Sequence, residues 1–266
     1  MAPSTATTLG YTEYGPEDAP LLCVTHGWAT DSSFTFPLVS LLPKLRLRLI
    51  DLPGYGLSLK HAAAADDFEQ GSTLLANTLP EGSIVLSWSL STLWVLAACA
   101  MKERKLRGLI TVCGSPRFPS DPNWSGLDYN YILKLRNFFT EQKATHLLQI
   151  FFRLQGSGKV NTPQVNAFVR SQAAKCVLPP YEVLRAGLDD MIYRDLRAQF
   201  HHLNLPSLHL FGAYDRLVPP QNAARMATKA RSKALVFANS AHMPYLTEPE
   251  EFAQVVGKFC DIYHSL

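Results

Sequence analysis

The chain has 266 residues, of which 47% are hydrophobic and 18% charged, with a formal net charge of +3. That composition suits one large soluble globular domain with a well-buried core. A charge this small does not single out nucleic acid as a partner, and no apolar run approaches the roughly 20 residues that a membrane span needs. The five cysteines, Cys23, Cys99, Cys113, Cys176 and Cys260, are odd in number and scattered, mostly through apolar runs. They read as free thiols of a reducing compartment, with neither a disulfide framework nor a zinc site. Met1 to Pro20 has no basic start and no continuous apolar stretch, so no secretory signal is expected and the cytoplasm is the expected location.

In chain order, apolar runs predict strands over 21–25, 45–51, 83–88, 106–113, 207–212 and 233–238. Most are rich in Leu, Val and Ile without strict alternation, as strands buried on both faces are. Only Leu45-Arg46-Leu47-Arg48-Leu49 alternates, which predicts a partly exposed strand. Helical patterns fall over 32–42, 66–79, 89–102, 219–231 and 248–264. Alternating strands and helices imply an α/β domain with a mostly parallel central sheet covered on both faces. From about Ser115 to Asn204 the rhythm stops. Turn-formers give way to helical patterns such as 131–139 and 145–154, interrupted at Gly156-Ser157-Gly158 and Pro179-Pro180. The expectation is a core of residues 1–114 and 205–266, with a helical lid insertion over 115–204.

Four features carry chemistry. In Ser87-Trp88-Ser89-Leu90-Ser91 a strand runs into a helix, as a nucleophile elbow does; the strained turn needs small residues two before and two after the nucleophile. Serine fills both places where glycine is usual, and the same pattern also fits a helix-capping serine. Thr25-His26-Gly27-Trp28 sits where an oxyanion-hole loop would sit. The backbone N–H groups of Trp28 and Leu90 are then the expected donors to a tetrahedral oxyanion. A histidine inside such a turn, here His26, more often organises the loop than moves a proton. Asp215, in the turn of Gly212-Ala213-Tyr214-Asp215 before Pro219, lies past a strand end, where α/β active sites form; a helix-capping role fits it too. His242, in Asn239-Ser240-Ala241-His242-Met243-Pro244, also follows a strand. Ser89, Asp215 and His242 appear in the chain order of nucleophile, acid and base. Together they imply acyl transfer through an acyl-enzyme, with no metal and no organic cofactor.

Over nearly its whole length the chain resembles the pimeloyl-[acyl-carrier protein] methyl ester esterases of biotin synthesis, a family of the α/β-hydrolase fold. The shared segments include His26-Gly27-Trp28, Asp51-Leu52-Pro53-Gly54-Tyr55-Gly56-Leu57-Ser58, Trp88-Ser89-Leu90, Ser115-Pro116, Asn123-Trp124-Ser125-Gly126, Leu217-Val218-Pro219 and Ala241-His242. Phe151-Phe152-Arg153-Leu154-Gln155 looks like that family's substrate-contacting lid stretch, with Phe151, Leu154 and Gln155 matching its pattern. The chain departs from the family at Ser87, Ser91, Ala29 and Ile150. The resemblance implies hydrolysis of the methyl ester of a pimeloyl chain on acyl-carrier protein, with Trp28, Ser89, Leu90, Phe151, Leu154, Gln155 and His242 touching substrate. The residues alone reach only an esterase with a helical lid, which leaves a general short-chain carboxylesterase or a carbon–carbon bond hydrolase as alternatives. Between residues 130 and 185 basic side chains far outnumber Glu141 and Glu182, and Arg153, Arg170 and Lys175 are candidates to dock an acidic carrier. The expected partner is acyl-carrier protein, not nucleic acid or membrane, and the chain is expected to act as a monomer.

Overall fold

The computed structural model describes residues 7–102, 105–155, 159 and 163–264. Its strands are β1 (Tyr11–Tyr14), β2 (Leu21–Thr25), β3 (Arg46–Ile50), β4 (Ile84–Trp88), β5 (Gly108–Val112), β6 (Ser207–Gly212) and β7 (Ser232–Phe237), in one sheet of order β1-β3-β2-β4-β5-β6-β7. Only β1 runs antiparallel, on β3; every other pair is parallel. The helices that follow the early strands are α1 (Pro37–Leu41), α2 (Ala63–Asp66), α3 (Phe68–Thr78) and α4 (Ser91–Lys102). Between β5 and β6 come α5 (Tyr129–Phe138), α6 (Glu141–Gln155), α7 (Pro163–Lys175), α8 (Tyr181–Tyr193) and α9 (Arg197–His202), and the chain ends with α10 (Ala223–Met226), α11 (Pro244–Thr247) and α12 (Pro249–His264).

The sequence pattern explains the layers. Every residue of β4, β5 and β6 is buried, so both faces of the sheet centre are covered, as their unbroken apolar runs require. Helix α12 buries Phe252, Val256, Phe259 and Cys260, spaced so that they share one helical face. Asp67 opens α3 by accepting from the Gln70 N–H at 3.0 Å, and Asp128 opens α5 by accepting from that of Tyr131 at 2.7 Å. The alternating strand β3 turns Arg46 and Arg48 to its open side, where both pair with Glu13 of β1.

Three local readings are corrected. The helix expected over 219–231 is only a 3-10 turn, Pro220–Asn222, followed by the four residues of α10. The helix expected from Ser89 starts at Ser91, because Ser89 has φ of +62° and cannot be helical. The helix expected over 32–42 splits at Phe36 into a 3-10 turn and α1, which Pro37 opens. Between β5 and β6 the described residues contain no strand, only two isolated bridges, Pro119 with Leu127 and Asp121 with Trp124. Of the sequence cues there, Gly156-Ser157-Gly158 lies outside the described residues.

The Asp51–Ser58 run is a loop built on its own aspartate. Asp51 accepts from the Ser32 N–H through Oδ1 and from the Leu57 N–H through Oδ2, both at 2.8 Å, and Ser58 Oγ donates to the Asp51 carbonyl at 2.7 Å. Gly56 is required here: its φ is +41°, and a Cβ would stand 2.3 Å from Asp51 Oδ2. The motif thus fixes the loop after β3 beside the loop after β2, at the sheet edge where the candidate site lies.

Candidate active site

Four strand ends converge: β2 leads to Trp28, β4 to Ser89, β6 to Asp215 and β7 to His242. All four belong to the parallel part of the sheet, so they share its C-terminal edge, and the strand order reverses beside β2, where open α/β sheets form their crevice. Ser89 sits on a tight strand-to-helix turn in the left-handed region, with its N–H held by the Val112 carbonyl at 2.9 Å. A non-glycine residue there costs on the order of 1–2 kcal/mol, a strain the buried surroundings hold in place. The two flanking serines do more than stay small. Ser91 Oγ accepts from the Trp88 N–H at 3.1 Å and from Thr25 Oγ1 at 2.8 Å, while Ser87 Oγ shares a 3.0 Å hydrogen bond with Thr92 Oγ1.

Asp215 uses its two oxygens differently. Oδ1 accepts from the N–H groups of Leu217 and Val218 at 2.8 and 3.1 Å, which leaves Oδ2 to meet His242 Nδ1 at 2.8 Å. The carboxylate accepts there, so Nδ1 carries the proton and Nε2 turns its lone pair to Ser89 Oγ, 2.8 Å away. All three side chains are buried. The Trp88 indole N–H donates to the His242 carbonyl at 2.9 Å and so fixes the histidine from behind. Sequence reading passed over one neighbour: Cys113, just past β5, whose Sγ, the Asp215 carboxylate and the His242 ring lie within 4.8 Å of one another. Burial and the nearby Asp215 carboxylate push its thiol well up, so the sulfur stays protonated beside the pair. The signal that could have found it is positional, since residue 113 is the first after a central strand at the same sheet edge.

Trp28 and Leu90 flank the serine. Among the described residues neither backbone N–H is engaged by a hydrogen bond, so both are available to a negative oxygen. His26 is committed to the loop. Its Nε2 accepts from the Leu52 N–H at 3.0 Å, so its Nδ1–H donates to the Gly27 carbonyl at 2.9 Å. Burial holds its pKa below the ordinary histidine value.

The helices between β5 and β6 bring part of the expected contact stretch to this edge. Phe151 meets the Trp28 ring edge-on at 4.8 Å, and Phe152 stacks on Phe34, which stacks in turn on Trp88. Gln155 is buried, and its Oε1 has no hydrogen-bond partner among the described residues. The Leu154 side chain lies outside those described. Arg153 and Arg170 are exposed on the walls of a groove of about 720 Å³ between α6 and α7, with Phe152 and Val169 in its lining; Lys175, at the end of α7, is exposed.

A serine, histidine and aspartate in relay at the C-terminal edge of a parallel sheet define the class of α/β serine hydrolases. The chain belongs to the alpha/beta hydrolase family, whose model matches residues 21–255, and within it to the family of the pimeloyl-[acyl-carrier protein] methyl ester esterases. It is 31% identical over 252 residues to the protein of that name from Sodalis glossinidius, covering 93% of this chain and 95% of the relative. The protein of the same name from Yersinia enterocolitica is 29% identical over 240 residues, covering 90% and 92%. Among solved structures, an esterase from Exiguobacterium antarcticum superposes with a TM-score of 0.82 over 95% of both chains, at 18% identity, a likeness of fold.

Proposed function

We propose that this protein is a cytoplasmic, monomeric carboxylesterase that hydrolyses the methyl ester of a pimeloyl chain carried on acyl-carrier protein, releasing methanol. The observation that carries the proposal is the unbroken Asp215–His242–Ser89 relay, with two contacts of 2.8 Å, on a strained elbow flanked by two N–H groups that no described residue engages. The names of the relatives supply the substrate.

In this mechanism Ser89 Oγ attacks the ester carbonyl as His242 Nε2 takes its proton. The N–H groups of Trp28 and Leu90 meet the new oxyanion, which in water-excluded sites contributes more than in water. The imidazolium gives its proton to the departing methoxide, and methanol leaves an acyl-enzyme. A water then loses its proton to Nε2 and attacks the acyl carbon, and Ser89 recovers its proton as the free carboxylate departs. Asp215 stays ionised throughout and stabilises the imidazolium. The stretch 115–204 serves as a lid on the core of 1–114 and 205–266, with Phe151, Leu154 and Gln155 along the acyl chain. Arg153, Arg170 and Lys175 draw the acidic carrier to the groove between α6 and α7. Gln155 Oε1, buried and without a partner among the described residues, supports a ligand in that region, because a buried polar atom without a partner is costly.

Complementation of a biotin auxotroph that lacks the esterase tests the whole reading. The wild-type chain is expected to restore growth and Ser89→Ala to fail, with fluorophosphonate labelling lost in the same variant. Reversing Arg153, Arg170 and Lys175 to Glu is expected to lower kcat/KM for the carrier-bound ester by 10-fold or more, and added salt to do the same to the parent. Hydrolysis of a small p-nitrophenyl ester should hardly change. Equal losses on both substrates would leave a general short-chain esterase as the function.

A further inference from the structure

Both residues assigned as oxyanion donors rest on one bare point of a helix. Gly187 is buried at the seventh of the thirteen positions of α8. A Cβ there would stand 2.6 Å from Trp28 Cδ1, 3.0 Å from Trp28 Nε1 and 3.2 Å from Leu90 Cδ2. Glycine inside a helix is unfavourable relative to alanine, so local helix formation gives no reason for it; the contacts do. One turn earlier the Trp28 indole N–H donates to the Leu184 carbonyl at 2.8 Å. The same helix therefore holds the Trp28 ring by a hydrogen bond and offers a flat seat on which Trp28 and Leu90 both lie.

We propose that Gly187 is a positioning residue for hydrolysis: its missing side chain lets α8 set the loop after β2 and the turn after Ser89 at the spacing that aims both N–H groups at one oxygen. The proposal rests on the assignment of Trp28 and Leu90 as oxyanion donors.

The geometry forces the strain inward. A contact of 2.6 Å must open by on the order of 1 Å to reach ordinary carbon–carbon separation. Helix α8 is not free to take up all of that movement. Val183 packs against Gly54, Asp189 holds Arg136 through contacts of 2.7 and 3.1 Å, and Tyr181 Oη donates to the Phe139 carbonyl at 2.7 Å. Trp28 and Leu90 therefore move. Their side chains sit directly on the residues whose N–H groups face the oxyanion, and a misplacement of about 1 Å in such a site can cost on the order of 100-fold in rate. The relay of Asp215, His242 and Ser89 hangs from β4, β6 and β7, and the three atoms nearest a Cβ at Gly187 belong to Trp28 and Leu90 instead.

The test compares Gly187→Ala with Gly257→Ala, which adds the same methyl to helix α12 where nothing lies within 4 Å. Ser89→Ala is assayed alongside. Steady-state hydrolysis of p-nitrophenyl acetate, the Ki of a boronic acid that forms a tetrahedral adduct on serine, and the thermal midpoint are measured for each. Gly187→Ala is expected to lower kcat by about 10- to 100-fold with KM within threefold, and to raise the boronic acid Ki by a similar factor. Gly257→Ala should match the parent in kcat and in boronic acid Ki, with a thermal midpoint equal to or somewhat above the parent's, since alanine favours the helix. A folded Gly187→Ala protein with kcat within threefold of the parent, or with an unchanged boronic acid Ki, overturns the proposal. An active Ser89→Ala protein would instead overturn the catalytic assignment beneath it, so the two failures are told apart. Should Gly187→Ala not fold, Trp28→Phe takes its place, since it removes the bond to Leu184 without adding bulk. A tenfold lower kcat at unchanged KM supports the seat, and a kcat within twofold of the parent overturns it.

Discussion

Replacing Asp215 by asparagine changes one atom and, through it, the position of a proton. Oδ1 of Asp215 accepts from two backbone N–H groups, those of Leu217 and Val218. An asparagine keeps these bonds only with its carbonyl oxygen in that position, because its NH2 group would face two donors. The NH2 group must then turn to His242, where Oδ2 now stands 2.8 Å from Nδ1. Nδ1 becomes the acceptor, the ring proton moves to Nε2, and the nitrogen facing Ser89 Oγ loses the lone pair it needs as base. In a serine protease with this relay the same change lowers kcat by roughly 10⁴, equivalent to about 5 kcal/mol of transition-state stabilisation. Folding should scarcely notice, since both backbone bonds survive. The assay is steady-state hydrolysis of a p-nitrophenyl ester by Asp215→Asn, with urea unfolding measured on the same preparation. A kcat within tenfold of the parent would refute the tautomer reasoning. So would a large loss of activity that tracks an equally large loss of stability.

Two further expectations concern stability. Ser91→Ala takes from the Trp88 N–H its serine acceptor and leaves the Thr25 hydroxyl only a 3.4 Å bond to the Leu86 carbonyl, and should lower unfolding free energy by about 1–3 kcal/mol, with kcat within a fewfold of the parent. Ser87→Gly should cost less because its hydroxyl serves chiefly Thr92; urea titrations showing no loss for Ser91→Ala would sink the distinction. The third expectation is a pH dependence. Burial depresses the pKa of His209 to about 3, well below its unfolded value of 6.5, so its contribution to stability is present above pH 6.5 and is lost as pH falls toward 3. Between pH 7 and pH 5 the unfolded chain takes up a proton that the folded chain refuses, which costs about 2 kcal/mol. His26, held down by burial as well, acts in the same direction. The gap between urea midpoints at the two pH values should narrow in His209→Asn, with His26 keeping a remainder, and an unchanged gap would count against His209 as a source.

What was legible in the sequence and what was not divides along a physical line. Strands β2, β4, β5 and β6 announce themselves because burial on both faces demands unbroken apolar runs, β3 because its alternation matches one covered and one open face, and the relay residues because a strand must end before a side chain can enter the crevice. Strand β1 escaped notice because an edge strand needs only one buried face and little length. Its clue is electrostatic and nonlocal: Glu13 stands opposite Arg48 in the register and binds Arg46 and Arg48 together, the same two arginines whose alternation marked β3 as exposed. The helix expected after Pro219 fails for a related reason. The apolar spacing over 219–231 suits a helix, but Asp215 already holds the Leu217 and Val218 N–H groups, and Pro219 and Pro220 follow at once, so the segment begins as a turn shaped for the relay. At the elbow the sequence showed that positions 87 and 91 are small, and size alone allowed glycine at either. The structure shows Ser91 joining β2, β4 and the start of α4 through one hydroxyl, which glycine cannot do. A residue pattern therefore reports the steric limit at each position, while the use made of the allowed atoms depends on partners that lie 66 residues away in the chain. Gly187 is the sharper case. Nothing near it in sequence calls for glycine, and the demand comes from Trp28 and Leu90, two loops that meet only when the sheet has formed beneath them.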